Sequence, residues 1–320
     1  MLRSFNRTAI ALILIGGGLI LSIFVLLSRQ VLIGPTTKLR PEKAVTQTAE
    51  GKVRVPVKFD RPPVVEVACG VLFSSAQPIL TGHVGSFWER MKSEFPRIQD
   101  AAPLASVLEV PGQLSGVNFH FSDLPPLRRV WFLDADGRNL IQMQEDRFLF
   151  NWKKASDDDC YPDYGAVYAK FEHHLSEFLA FAQEVGIGAV TTRQFELVYV
   201  NHISSANGLD LVGPGAVMVD HVREASEGRF LPNPEGFSWT TVYPMPDGIG
   251  RLYVAAQTAI NQPNQEKLVR LDITARGIGT DTSPTGRKKW FDIAHDWITH
   301  GFVDVTSKTL HEPAAWGRTA

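Results

Sequence analysis

The chain has 320 residues, with 32 Lys and Arg set against 34 Asp and Glu and a formal net charge of −2. No basic excess is present, which argues against a protein that works mainly by electrostatic phosphate binding, and no nucleic-acid partner is expected. Hydrophobic residues make up 44% and charged residues 21%, the balance of a globular chain with a sizeable core. The two cysteines, Cys69 and Cys160, supply neither a disulfide framework nor a C-x-x-C site.

Residues 9–27 read AIALILIGGGLILSIFVLL. Nineteen uncharged residues at about 1.5 Å rise nearly span a hydrocarbon core of roughly 30 Å. The run exceeds the apolar core of a signal peptide, and no A-x-A cleavage pattern follows it. The expectation is an uncleaved, single-pass helix in contact with membrane lipid. Arg29, Lys38, Arg40 and Lys43 outnumber Arg3 and Arg7, so the positive-inside rule leans toward a cytoplasmic soluble region. The following polar, Pro-dotted stretch reads as a tether. The division expected is residues 1–33 as anchor, 34–60 as linker, 61–205 as a first α+β unit and 206–320 as a second.

Beyond the linker, residues 64–73 (VVEVACGVLF) alternate as a strand, with Cys69 a buried thiol on its apolar face. Residues 81–95 form a helix with Thr81 as N-cap and Pro96 as stop. Residues 101–126 have no clear period. A three-strand meander follows at 129–134, 139–144 and 147–152, with Asp136-Gly137 as its first hairpin turn. Residues 164–185 carry Tyr164, Tyr168, Phe171, Leu175, Phe178, Ala182 and Val185 on one helical stripe, which Gly186 ends. Residues 193–202 return as a strand. Strands at 237–245, 251–260 and 267–278 and a helix at 290–305 complete the chain. Three strands and a long helix occur twice. The fold class expected is therefore α+β, mainly antiparallel sheets with long helices packed on them, organised as a two-unit pseudo-repeat of two sheets or as a convergence of simple elements.

Several strings are distinctive: PPVVEV at 62–67, LIQMQEDRFLFNW at 140–152, YPDY at 161–164, ELVYVNHI at 196–203, WFDIAHDWITHGFVDVT at 290–306 and WGR at 316–318. In this order and spacing they resemble the bacterial family described only as "sporadically distributed protein", over about residues 60–318. The resemblance implies a cytoplasmic-type α+β protein and transfers no reaction, cofactor or catalytic residue. It also implies a soluble protein beginning near PPVVEV, so the apolar segment at 9–27 is an addition.

The residues that bear on chemistry are few. Asp292 and His295 stand three apart on a helix, the spacing at which a carboxylate can orient an imidazole. A structural hydrogen bond is the commoner use of such a pair. Asn151, Asn201 and His202 fall at strand ends, where they line a ligand site or cap the departing chain. Gln142 and Gln144 share one sheet face, as polar floor of a pocket or, more commonly, as solvated face. Tyr161-Pro162 and Asp163 read as a helix start, and His311, Trp316 and Arg318 as a tail pinned to the domain. His83 near the first helix start reads as a hydrogen-bonding group. No P-loop, H-E-x-x-H, G-x-S-x-G or EF-hand pattern occurs, and no cofactor or metal is expected. With 19 Phe, 7 Trp and 6 Tyr, the leading expectation is a non-catalytic module that binds a small molecule or a protein. The alternative is an enzyme using Asp292 and His295 in acid/base or metal chemistry, with Asn151 or Asn201 orienting substrate.

Overall fold

The computed structural model describes residues 56–319, apart from 106, 110–127, 157, 205–216, 220–229, 231–233 and 262–264. The apolar segment at 9–27 and nearly all of the linker lie outside the described residues. Among the described residues, no helix is long and apolar enough to cross a membrane.

Nine strands and four helices are described. In chain order they are β1 (Val64–Ser75), α1 (Thr81–Met91), β2 (Arg97–Ala101), β3 (Arg129–Leu133), β4 (Asn139–Gln144), β5 (Arg147–Lys153), α2 (Tyr164–Glu184), β6 (Val190–Ser204), β7 (Ser238–Pro244), β8 (Gly250–Asn261), β9 (Glu266–Gly277), α3 (Pro284–Val305) and α4 (Lys308–His311). The class is α+β, as expected. The expectation of separate sheets is corrected: the strands form one antiparallel sheet in the order β2-β3-β4-β5-β1-β6-β9-β8-β7. The cause is the long β1–β6 ladder, in which Val67 opposes Tyr199 and Cys69 opposes Leu197, joining the two meanders at the middle.

The halves share part of their connectivity, with α1 and the edge strand β2 inserted in the first half and no counterpart among the described residues of the second. β1 is followed by the meander β3-β4-β5, whose last strand returns to β1, and then by α2. β6 is followed by β7-β8-β9, whose last strand returns to β6, and then by α3. The edge strand β2 was not expected. Its sequence, RIQDA, is short and mostly exposed, so it carries no apolar alternation to read.

One face of the sheet is apolar because the pleat repeats every two residues. In register, Phe132, Ile141, Phe150, Cys69, Leu197, Ala275 and Leu252 form a continuous row across seven strands. All seven are buried. The long helices lie on this face. Phe87 of α1 fits among Phe132, Phe148, Phe178 and Phe181, and Phe148 stacks on Phe178 at 5.3 Å. Phe291 of α3 meets Tyr168 and Phe171 of α2, and Arg287 pairs with Glu172 beside them.

Local chemistry sets the helix ends. Leu80, not Thr81, is the N-cap of α1, and its backbone N–H donates to His83 Nδ1 at 3.1 Å. Asp163 caps α2 by accepting from Ala166 N at 2.8 Å. α3 starts six residues before the expected position, where Ser283 accepts from Gly286 N and Pro284 takes the first helical position. The tail is pinned as expected. Trp316 is buried, and Asp60 N and Arg61 N donate to Gly317 O and Trp316 O.

Candidate functional site

A cavity of about 800 Å³ opens where β1 begins and β6 ends, between the sheet and α3. Four stretches of chain supply most of its lining, and Lys154, Ile273 and Trp316 add to it. β6 places Tyr199 and Asn201 on the helix-covered face, two residues apart, in phase with Phe195 and Leu197. α3 presents His295, Ile298, Thr299 and Phe302, the three- and four-residue spacing of one helical face. The turn before α2 contributes Tyr161, and the first residue of α2 contributes Tyr164. The outer wall is residues 57–63, laid against the C-terminal tail by the bridge between Phe59 and Arg318 and by Thr319 N donating to Lys58 O.

Three polar side chains are joined across this floor. Tyr161 Oη and Tyr199 Oη are 2.8 Å apart, and Tyr199 Oη lies 3.0 Å from His295 Nδ1. The Tyr164 ring stacks on the His295 ring at 4.2 Å and 6°. Burial lowers the His295 pKa to about 4, against the opposing pull of Asp292 and Asp296, so the imidazole is neutral at pH 7. Burial likewise raises the pKa values of Tyr161, Tyr164 and Tyr199, and these phenols keep their protons. Asn201 is buried and donates through Nδ2 to Leu271 O at 3.0 Å, leaving its carbonyl oxygen without a partner among the described residues.

Asp292 and His295 share α3 but form no hydrogen bond with each other. Tyr164 stands between them: its hydroxyl donates to Asp292 Oδ1 at 2.9 Å while its ring covers the imidazole. Lys288 Nζ holds the other carboxylate oxygen at 2.6 Å. A carboxylate directly orienting the imidazole, the arrangement that the enzyme reading drew on, is therefore replaced by a tyrosine orienting it from Nδ1. His202 borders the cavity through its backbone, its N–H donating to Pro63 O at 2.9 Å. Strand alternation turns its exposed side chain to the other face.

Gln142 and Asn151 lie on the opposite face of the sheet, away from this cavity. Neither is at a strand end and neither is solvated: they are 6% and 2% exposed. Arg129 and Trp131 donate to Gln142 Oε1, Gln142 Nε2 donates to Asn151 Oδ1 at 2.8 Å, and Asn151 Nδ2 donates to Glu66 Oε1 at 2.5 Å. The chain of amides links a guanidinium to a carboxylate and satisfies itself. Gln144 is also buried, contrary to the solvated-face expectation. It brackets Leu104 through Leu104 N and Leu104 O, and Gln194 does the same for Glu109 N and Val107 O. Leu104, Val107 and Glu109 are thereby held over a face that antiparallel sheets commonly leave wet.

Among the described residues no group of three or more His, Cys, Asp and Glu is placed to hold a metal ion. Tyr199 was not singled out from the sequence. Its signal was the alternation in ELVYVNHI, which puts a phenol on an otherwise apolar strand face, where it needs a partner. No family model matches this chain, and no curated protein or solved structure matches it.

Proposed function

We propose that the chain is a membrane-tethered, non-catalytic module that binds a small molecule in the cavity between α3 and the sheet. The observation that carries the reading is the cavity itself. Its volume, about 800 Å³, is in the range of small-molecule sites, and the groups that converge on it come from several separate stretches of chain. The hydrogen bonds at its floor leave ring nitrogen His295 Nε2 and the Asn201 carbonyl without protein partners among the described residues. The tether rests on the uncharged run at 9–27. The resemblance to the sporadically distributed protein family is part of this reading for the soluble region, and it brings no ligand with it.

Two experiments test the parts separately. A thermal-shift fragment screen on the full-length protein in detergent is expected to yield stabilising compounds that lose their effect in Thr299→Trp, whose larger side chain fills the cavity. Stabilisation that persists in Thr299→Trp places the ligand elsewhere. For the tether, the protein in native membranes is expected to resist carbonate and to come out with detergent, whereas release by carbonate overturns the anchor.

One observation favours the enzyme reading enough to keep it as second: His295 is neutral at pH 7, lines a concave site, and is oriented by a tyrosine. Turnover of any compound that binds, lost in His295→Ala, replaces the binding module by that reading.

A further inference from the structure

The cavity floor constrains the charge of what it holds. Tyr161, Tyr199, Asn201, His295 and Thr299 line it, and none carries charge at neutral pH. Three of the charged side chains that line the cavity are engaged elsewhere, while Lys58, Asp60 and Lys154 also line it. Asp159 accepts from Ala155 N and Ser156 N and pairs with Arg138, Asp163 caps α2, and Arg61 Nη2 donates to Pro313 O. Asp292, on the same helix as His295, is tied to Lys288 and Tyr164 behind the Tyr164 ring. A charge carried to the floor exchanges water for uncharged partners, which is costly.

The direction of the hydrogen-bond chain sets what the floor offers. Tyr161 and Tyr199 both keep their protons, and imidazole nitrogen is a better acceptor than a phenol oxygen. If Tyr161 donates to Tyr199 and Tyr199 donates to His295 Nδ1, every proton within the chain is used. The opposite direction strands the Tyr161 proton and leaves a bare lone pair on Nε2. In the favoured direction the neutral ring carries its proton on Nε2. That nitrogen has no protein partner among the described residues, and it is not one of the buried polar atoms sealed from solvent. On a cavity-lining ring it is the donor left for a ligand. Aromatic side chains of Tyr161, Phe302 and Trp316 line the same space and offer surfaces for a flat molecule.

We infer that the cavity selects a neutral, planar ligand bearing a hydrogen-bond acceptor, which His295 Nε2–H engages. The inference rests on the cavity being a ligand site, and its test is built to fail separately. Benzamide, benzoate and benzamidine are near-isosteric and differ in charge. Each is titrated into full-length protein in detergent, with ¹⁵N-histidine and ¹³C-tyrosine signals as readout. The free protein is expected to show His295 protonated at Nε2. Benzamide is expected to move the His295 and Tyr199 signals with an apparent affinity at least tenfold tighter than either charged analogue. Tyr199→Phe, which unties the ring, is expected to give mixed tautomers and to weaken benzamide binding. Benzoate or benzamidine moving the same signals as readily as benzamide overturns the neutral-ligand inference and leaves the cavity reading standing. No movement with any of the three also overturns it, and the fragment screen then judges the cavity alone.

Discussion

His174 offers a quantitative check on the packing. It sits on α2 against the sheet, 1% exposed, with its ring stacked on Phe150 at 5.4 Å and edge-on to Phe95 at 5.2 Å. Nδ1 has no hydrogen-bond partner, and Nε2 lies 3.4 Å from Glu94 Oε1. Burial lowers its pKa from 6.5 to about 4, with His173 and Lys170 adding to the effect and Glu177 opposing it. The folded pKa is below the unfolded one. Between pH 6.5 and 4 the unfolded chain therefore binds a proton that the folded chain refuses, and stability falls as pH falls through that window. At about 1.4 kcal/mol per pH unit, His174 alone accounts for about 3 kcal/mol of acid sensitivity. The perturbation is His174→Phe, which keeps an aromatic ring between Phe95 and Phe150 and removes the titrating group and its unpaired nitrogen. The assay is urea unfolding of both proteins at intervals from pH 7.5 to 4.5. Carboxylate titrations common to both cancel in the difference. The variant is expected to be as stable as the parent or more so at pH 7.5, and to gain on it by about 2–3 kcal/mol by pH 4.5. Parallel curves across the window would show that His174 is not held neutral by burial, and the reasoning applied to it and to His295 fails together.

Other outcomes follow from single contacts. Phe178→Ala removes a ring that meets Phe73, Phe87 and Phe148, and is expected to cost about 3–5 kcal/mol in chemical unfolding. Gly277→Ala places a Cβ 1.9 Å from Ile249 O, where β8 and β9 meet, and backbone must shift to admit it. A lowered melting temperature with the sheet retained by circular dichroism is expected there. Gln144→Ala withdraws both hydrogen bonds to Leu104 and is expected to expose the neighbouring backbone, read as faster amide exchange at residues 104–105 without a global loss of about 3 kcal/mol or more.

Elements with strong periodicity were legible in the sequence. The stripe Tyr168, Phe171, Leu175, Phe178 and Ala182 does face the core of the sheet, and the meander at 129–153 falls in place with its turns. β2 was not legible, because five mostly exposed residues carry no buried alternation. The single sheet was not legible either. Nothing in the local pattern of β1 or β6 names its partner, and β1 pairs with both β5 and β6 at the middle of the sheet. At the site, helical spacing drew attention to His295, which lines the cavity, but not to its partner. Tyr199 is distant in sequence, and the ladder β1–β6 and the packing of α3 are what bring its hydroxyl to Nδ1. Gln142 and Asn151 show the converse. Their residue types suggested a polar site, while Arg129, Trp131 and Glu66 on neighbouring strands give them internal partners.

The account turns on whether the space between α3 and the sheet receives a ligand. The most direct measurement is a fragment screen on full-length protein, read by selectively labelled tyrosine and histidine. Binding in this cavity predicts that hits perturb Tyr161, Tyr199 and His295 together and leave His174 unmoved. Hits that perturb only residues of the opposite face, or a screen without hits that move these three, would contradict it.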